Sequence, residues 1–171
     1  LLQKEQYRGR TSNHLVLVTS SDPVQATDQL RYLRSNAIVG GFLSITCITP
    51  AVAWNALDNL PANMICMPYG IEQASKFGLP TQAFCQRLLK LNGAVTVLLP
   101  NDSDSFAEIL YAYVNCEQKV VFANAERDLH ATLIVSPAEA NNPQRMLAHL
   151  FQSIATFLPM VCDTAPAGKA S

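Results

Sequence analysis

The chain has 171 residues, which suits one domain of ordinary size and a short appended tail. Hydrophobic residues make up 49% and charged residues 15%, so apolar area for a core is ample and intrinsic disorder is excluded. No run approaches the roughly 18 uninterrupted apolar residues of a spanning helix, and a formal net charge of -1 gives no overall pull toward nucleic acid or anionic lipid.

Residues 1–12 are expected to form an N-terminal extension, followed by one α/β domain over 13–162 and a linker or tail over 163–171. The start, LLQKEQYRGRTSNH, holds no apolar stretch flanked by a cleavage site and is not a signal peptide. It lacks an initiating Met, so the chain is expected to be a segment of a longer protein. Six short apolar runs then recur at 14–18, 42–48, 64–67, 95–99, 120–122 and 131–135. Each is rich in Val, Ile, Leu or Thr and too short for a helix, so each predicts a strand. Most are apolar throughout rather than alternating, as in strands covered on both faces.

Helix-start signals lie between the runs. Asp22-Pro23, Thr49-Pro50 and Asn142-Pro143 each offer an N-cap residue followed by proline at the first helical position. Ser105 with Glu108 has the spacing of a capping box. A helix over 81–91 places Phe84, Leu88 and Leu91 on one face and is expected to end at Asn92-Gly93. Strand, capped helix, strand predicts a three-layer α/β fold with a mostly parallel sheet (RecA-like or flavodoxin-like) and an edge hairpin over 120–135. A loose echo between two βαββ-like segments allows an alternative of two tandem ferredoxin-like halves.

Loops after strands carry the candidate chemistry, because open α/β sheets bind ligands beyond the carboxyl ends of their strands. The candidate ligand-binding residues are Ser20, Ser21, Tyr69, Asp102 and Asp104. The first loop, TSSDP, contains no glycine, and no lysine occurs between Lys4 and Lys76, so a Walker-type phosphate loop is excluded. Gly40-Gly41 lacks the third glycine of a dinucleotide fingerprint. Ser20 and Ser21 suit either a flavin phosphate or helix capping. Asn101, Asp102 and Asp104 suit either magnesium or the positive end of a helix dipole.

Among the histidines, His130-Ala131-Thr132 supplies half of a two-histidine phosphoesterase signature, and His14-Leu15-Val16 fails to supply the other half. No Gly-x-Ser-x-Gly elbow occurs. Five cysteines, Cys47, Cys66, Cys85, Cys116 and Cys162, form no Cys-x-x-Cys pair and read as small buried hydrophobes in a reducing, cytoplasmic compartment. Trp54, Tyr69, Tyr111 and Tyr113 are candidates for a recognition surface, with one of the last two facing inward. Lys4, Arg8, Arg10, Arg31 and Arg34 crowd the early chain while acids dominate from 102 to 139, a polarity that suits docking to protein.

The stretches NHLVLVTSSDP, LPTQAFCQRLLKL and VTVLLPNDSDSFAEILYAYV, the last followed by a strand pair ending in LHATLIV, resemble the N-terminal domain of the bacterial cellulose-secretion regulator family BcsE. The resemblance runs from about His14 to Pro137 and implies a RecA-like fold without ATPase function, in a scaffold that joins a membrane-associated cellulose synthase assembly. In that family cyclic-di-GMP recognition belongs to a C-terminal part. Arg127-Asp128 does not supply its motif, so no ligand residue carries over.

The expectation is therefore a non-catalytic interaction or regulatory domain with no cofactor and no metal. Its partners would be proteins, neighbouring domains of the same chain, or a second copy as a homodimer, with neither nucleic acid nor membrane insertion. The rival is a nucleotide- or flavin-binding domain or enzyme using Ser20, Ser21, Asp102 and Asp104.

Overall fold

The computed structural model describes residues 14–35, 44–100, 104–122, 131–136 and 142–157. Each of the six apolar runs forms a strand: β1 (His14–Val18), β2 (Ser44–Pro50), β3 (Met64–Tyr69), β4 (Asn92–Leu98), β5 (Asn115–Phe122) and β6 (Leu133–Val135). They join in one sheet of order β3-β2-β1-β4-β5-β6 with every neighbouring pair parallel. That is the order of doubly wound sheets, in which the chain reverses its direction of travel between β1 and β4. It differs from the flavodoxin-like order 2-1-3-4-5.

Two expectations change here. The pair β5–β6 is parallel, with Val120, Val121 and Phe122 opposite Leu133, Ile134 and Val135, so the edge is not a hairpin. A short gap in sequence had suggested a turn, whereas parallel neighbours need a crossover. The two ferredoxin-like halves do not form either, because all six strands share a single sheet.

The helices are α1 (Pro23–Ser35), α2 (Ala51–Asn55), α3 (Gln82–Leu89), α4 (Ser105–Tyr113) and α5 (Pro143–Phe157). Right-handed crossovers put α1 and α2 on one face while the chain steps outward from β1 to β3, and α3 and α4 on the other as it returns to β4 and goes on to β5, with α5, after the last strand, back on the first face. Leu15, Leu17, Ile45, Cys47, Val95 and Val97 accordingly pack against Ala26, Leu30 and Leu33 of α1, Ala53 of α2 and Leu150 and Phe151 of α5. On the opposite face Val16, Val18, Ile48 and Leu98 pack against Phe84 and Leu88 of α3 and Leu110 and Tyr111 of α4. Side chains one residue apart along a strand thus serve opposite layers, which explains why the strands read as apolar throughout.

The start signals are partly displaced. Asp22 caps α1 by accepting from the Gln25 N–H at 3.0 Å, and Asn142 caps α5 by accepting from Gln144 and Arg145. Thr81 caps α3. Thr49 does not cap α2: β2 continues through Pro50, and the Thr49 hydroxyl instead accepts from Thr19 Oγ1 at 2.8 Å. Helix α4 begins at Ser105, so its cap is Asp104 rather than Ser105, and the Ser105–Glu108 box is not formed. Helix α3 stops at Leu89, and Asn92-Gly93 opens β4 instead of terminating the helix. A Cβ at Gly93 would stand 2.9 Å from Val16 Cγ2, so any other residue there would force the Val16 side chain to shift within the sheet.

Edge strand β3 has few N–H groups to offer a further strand. The Ile45 N–H donates to Asn63 C=O, so in the alternation of the ladder the amides of Met64, Cys66 and Pro68 point away from β2. Met64 N–H is already donated to Pro61 C=O, and Pro68 has no N–H.

Candidate functional site

The carboxyl ends of β1 and β4 diverge at the switch point, the place where doubly wound sheets take ligands. Here the split is stitched by side chains. Gln29, on the otherwise apolar buried stripe of α1 formed by Ala26, Leu30 and Leu33, reaches back beneath the β1–α1 turn. Its Oε1 accepts from Ser20 N–H at 2.9 Å, and its Nε2 donates to Pro100 C=O at 2.6 Å. One buried amide therefore ties the end of β1 to the segment after β4. A polar residue inside that stripe is the sequence signal for this tie.

Asp104 closes the crevice from the other side. One carboxylate oxygen accepts from Ser21 Oγ at 2.7 Å and from the Ala107 N–H of α4 at 3.0 Å. The other accepts from the Ser21 N–H and, at 3.3 Å, from Ser20 Oγ. Ser20 Oγ in turn accepts from Asp22 N–H at 3.1 Å. The three consecutive amides of Ser20, Ser21 and Asp22 are thus all donated within the chain. In nucleotide-binding folds the amides of such a turn are offered to phosphate at the positive end of the helix; here a carboxylate of the same molecule takes the central one.

Of the candidate residues, Ser20, Ser21 and Asp104 come together at this point, while Asp102 lies outside the described residues, as do Asn101, Arg127, Asp128, His130 and Cys162. Tyr69, at the end of β3, is 6% exposed and packs its ring 5.2 Å from Phe106 and 6.0 Å from Phe84. Burial, reinforced by the nearby Asp104 charge, pushes the phenol pKa upward. Its hydroxyl is buried and has no hydrogen-bond partner among the described residues.

The aromatic recognition surface does not assemble. Tyr69 and Tyr111 are buried and Trp54 is half-buried against the α1 layer, leaving Tyr113 exposed. The expected split between Tyr111 and Tyr113 is what the helix presents. His14 lies at the amino end of β1, remote from the switch point, where Nε2 is 2.8 Å from Thr46 Oγ1 and Nδ1 is 3.2 Å from Asn92 C=O.

The cysteines Cys47, Cys66, Cys85 and Cys116 are unbridged. Burial pushes the Cys47 thiol up, and with it the neighbouring Cys66, to about 11 for the latter. Both are poor nucleophiles near neutral pH. No group of three or more His, Cys, Asp and Glu side chains gathers among the described residues. No helix among those residues is long and apolar enough to cross a membrane.

Several large apolar side chains are exposed on the segments that follow β1, β2 and β3. Val24 in the first turn of α1, Val52 in the first turn of α2, and Ile71 just after β3 are 72%, 70% and 93% exposed. The β3–α3 connection adds a small hairpin, with Ser75 N–H donating to Leu79 C=O and Gly78 N–H to Ser75 C=O. Gly78 at φ +71° permits this three-residue turn. Phe77 stands 77% exposed at its tip, with Lys76 Nζ 5.0 Å from the ring centroid. No protein-family model, curated protein or solved structure matches the chain.

Proposed function

We propose that this domain works through protein contact, as a non-catalytic interaction or regulatory unit of a larger bacterial protein. The observation that carries the reading is the internal use of the three consecutive Ser20, Ser21 and Asp22 amides at the position where this sheet order would receive a ligand. A turn whose donors are all engaged offers little to a nucleotide or flavin phosphate. Val24, Val52, Ile71 and Phe77, on the segments after β1, β2 and β3, are the kind of exposed apolar side chains that mark contact surfaces. The resemblance to the BcsE N-terminal domain supplies a context for such a unit, a scaffold of a cellulose or other exopolysaccharide secretion system. The partners would then be neighbouring domains or other subunits on the cytoplasmic side.

Thermal denaturation of the wild-type chain with nucleotides, flavins and magnesium tests the reading. The melting temperature is expected to stay constant with each. A reproducible, saturable rise with any one of them would overturn the proposal in favour of a small-molecule binder.

A further inference from the structure

We propose that the Asn92-Gly93 peptide is a self-modification site, where Asn92 is converted to aspartate or isoaspartate with the help of His14. No other asparagine of the chain precedes a glycine. Glycine matters because it brings no side chain to hinder its own nitrogen from approaching the preceding side-chain amide. Asn92 opens β4 and is exposed, at the end of the sheet opposite the switch point. β1 first meets β4 at Val95, so the Asn92-Gly93 peptide has β5 as its ladder partner and no residue of β1 opposite. A strand end held on one side opens more readily than a strand centre.

A hydrogen bond on that same peptide unit is the second observation. His14 Nδ1 lies 3.2 Å from Asn92 C=O, and because a carbonyl can only accept, Nδ1 is the donor. In the neutral ring Nε2 then accepts from the Thr46 hydroxyl at 2.8 Å, which fixes the tautomer. When the Gly93 amide loses its proton to solvent, the negative charge is shared between its nitrogen and the Asn92 carbonyl oxygen. The His14 N–H already points at that oxygen, and a donor placed where charge develops lowers the barrier, as in an oxyanion hole.

The Gly93 nitrogen attacks Asn92 Cγ. An N–Cγ bond forms, the Cγ–Nδ2 bond breaks, and Nδ2 leaves as ammonia after taking a proton from solvent. Water then opens the cyclic imide at either carbonyl, giving aspartate or an isoaspartate with the main chain lengthened by one methylene. The sum is one water consumed and one ammonia released, with nothing oxidised or reduced. Packing helps to keep the reactive pair in place, since a Cβ at residue 93 would stand 2.9 Å from Val16 Cγ2.

The test is to age the wild-type chain at neutral pH, folded and in denaturing urea, and to follow the conversion of each asparagine by peptide mass mapping and isoaspartate methylation. Asn92 is expected to react fastest in the folded chain, and at least as fast there as in urea. His14→Phe should slow it about two- to tenfold in the folded chain, the worth of one hydrogen bond, with no change in urea. His14→Gln, which keeps an N–H donor, should restore most of the rate. Protection of Asn92 in the folded wild-type chain would overturn the inference, and so would equal folded rates in wild type and His14→Phe. The folded-against-urea comparison needs no variant, so it decides even where substitution of His14 unfolds the chain.

Discussion

Gln29 shows how much a single side chain can decide at the switch point. Replacing it by alanine leaves Ser20 N–H and Pro100 C=O without their partner in a buried setting. Each orphaned buried group costs on the order of 1–3 kcal/mol. Gln29→Ala is therefore expected to lower unfolding free energy by about 2–4 kcal/mol in urea titrations, the two losses not adding fully. A loss below about 0.5 kcal/mol, the scale of an ordinary surface substitution, would show that water substitutes for the amide.

Cys66 makes a pH prediction. Its thiol is held protonated by burial to about 11, against 9.0 in the unfolded chain. Because the folded value is raised, the neutral thiol's contribution is complete below pH 9 and is lost as pH climbs through about 11. Stability measured from pH 8 to 11 should decline, and Cys66→Ala should make that decline shallower. An unchanged slope would place the effect on Cys47 and the buried tyrosines instead.

At the scale of elements, the strands were legible because a β-strand buried on both faces leaves an unmistakable apolar run. His14–Val18 is predicted and found with the same limits. Helix ends were less legible, because a cap is chosen by tertiary reach as well as by local preference. Asp104 outcompetes Ser105 since its carboxylate can serve Ala107 and the β1–α1 turn together. Thr49 is drawn away from capping by Thr19, the residue just past the end of β1. Asn92-Gly93 reads in sequence as a helix terminator, whereas in the fold Gly93 gives clearance to Val16, a contact between residues far apart in sequence. Gly93→Ala is accordingly expected to cost about 1–3 kcal/mol, the range of an overpacked core site, in the same urea titration. The candidate site was legible in its residues, Ser20, Ser21 and Asp104, and illegible in its purpose, since nothing local shows that they bond to one another.

The small hairpin after β3 carries a prediction of the opposite sort. Ile71→Glu combined with Phe77→Glu removes two side chains that contribute exposure rather than packing. The double variant is expected to melt within about 2 °C of wild type, as surface changes do, while binding markedly less of an apolar fluorescent dye. A large drop in melting temperature would mean that the hairpin is structural.

For the molecule as a whole, the doubly wound order places β1 and β4 at the centre and β3 and β6 at the margins. Backbone amides of β1 are hydrogen-bonded on a strand with neighbours to both sides and helices on both faces. Native-state hydrogen exchange should therefore be slowest in β1 and β4 and fastest, among the strands, in β6. The sheet order was the part of the topology that sequence did not disclose. Apolar runs say that strands are buried, while adjacency depends on crossovers that any βα unit can make in either direction.

The sparing of amides along β3 has its own consequence. A partner seeking to lengthen this sheet from the β3 side would meet a single unused N–H, that of Cys66, between one already spent and one that proline never had. Stacking of sheets edge to edge, the usual first step toward fibrils, is discouraged at that margin without a single charged residue in the strand. Concentrated solutions of the native chain should accordingly resist seeding, and replacing Pro68 with threonine should weaken that resistance.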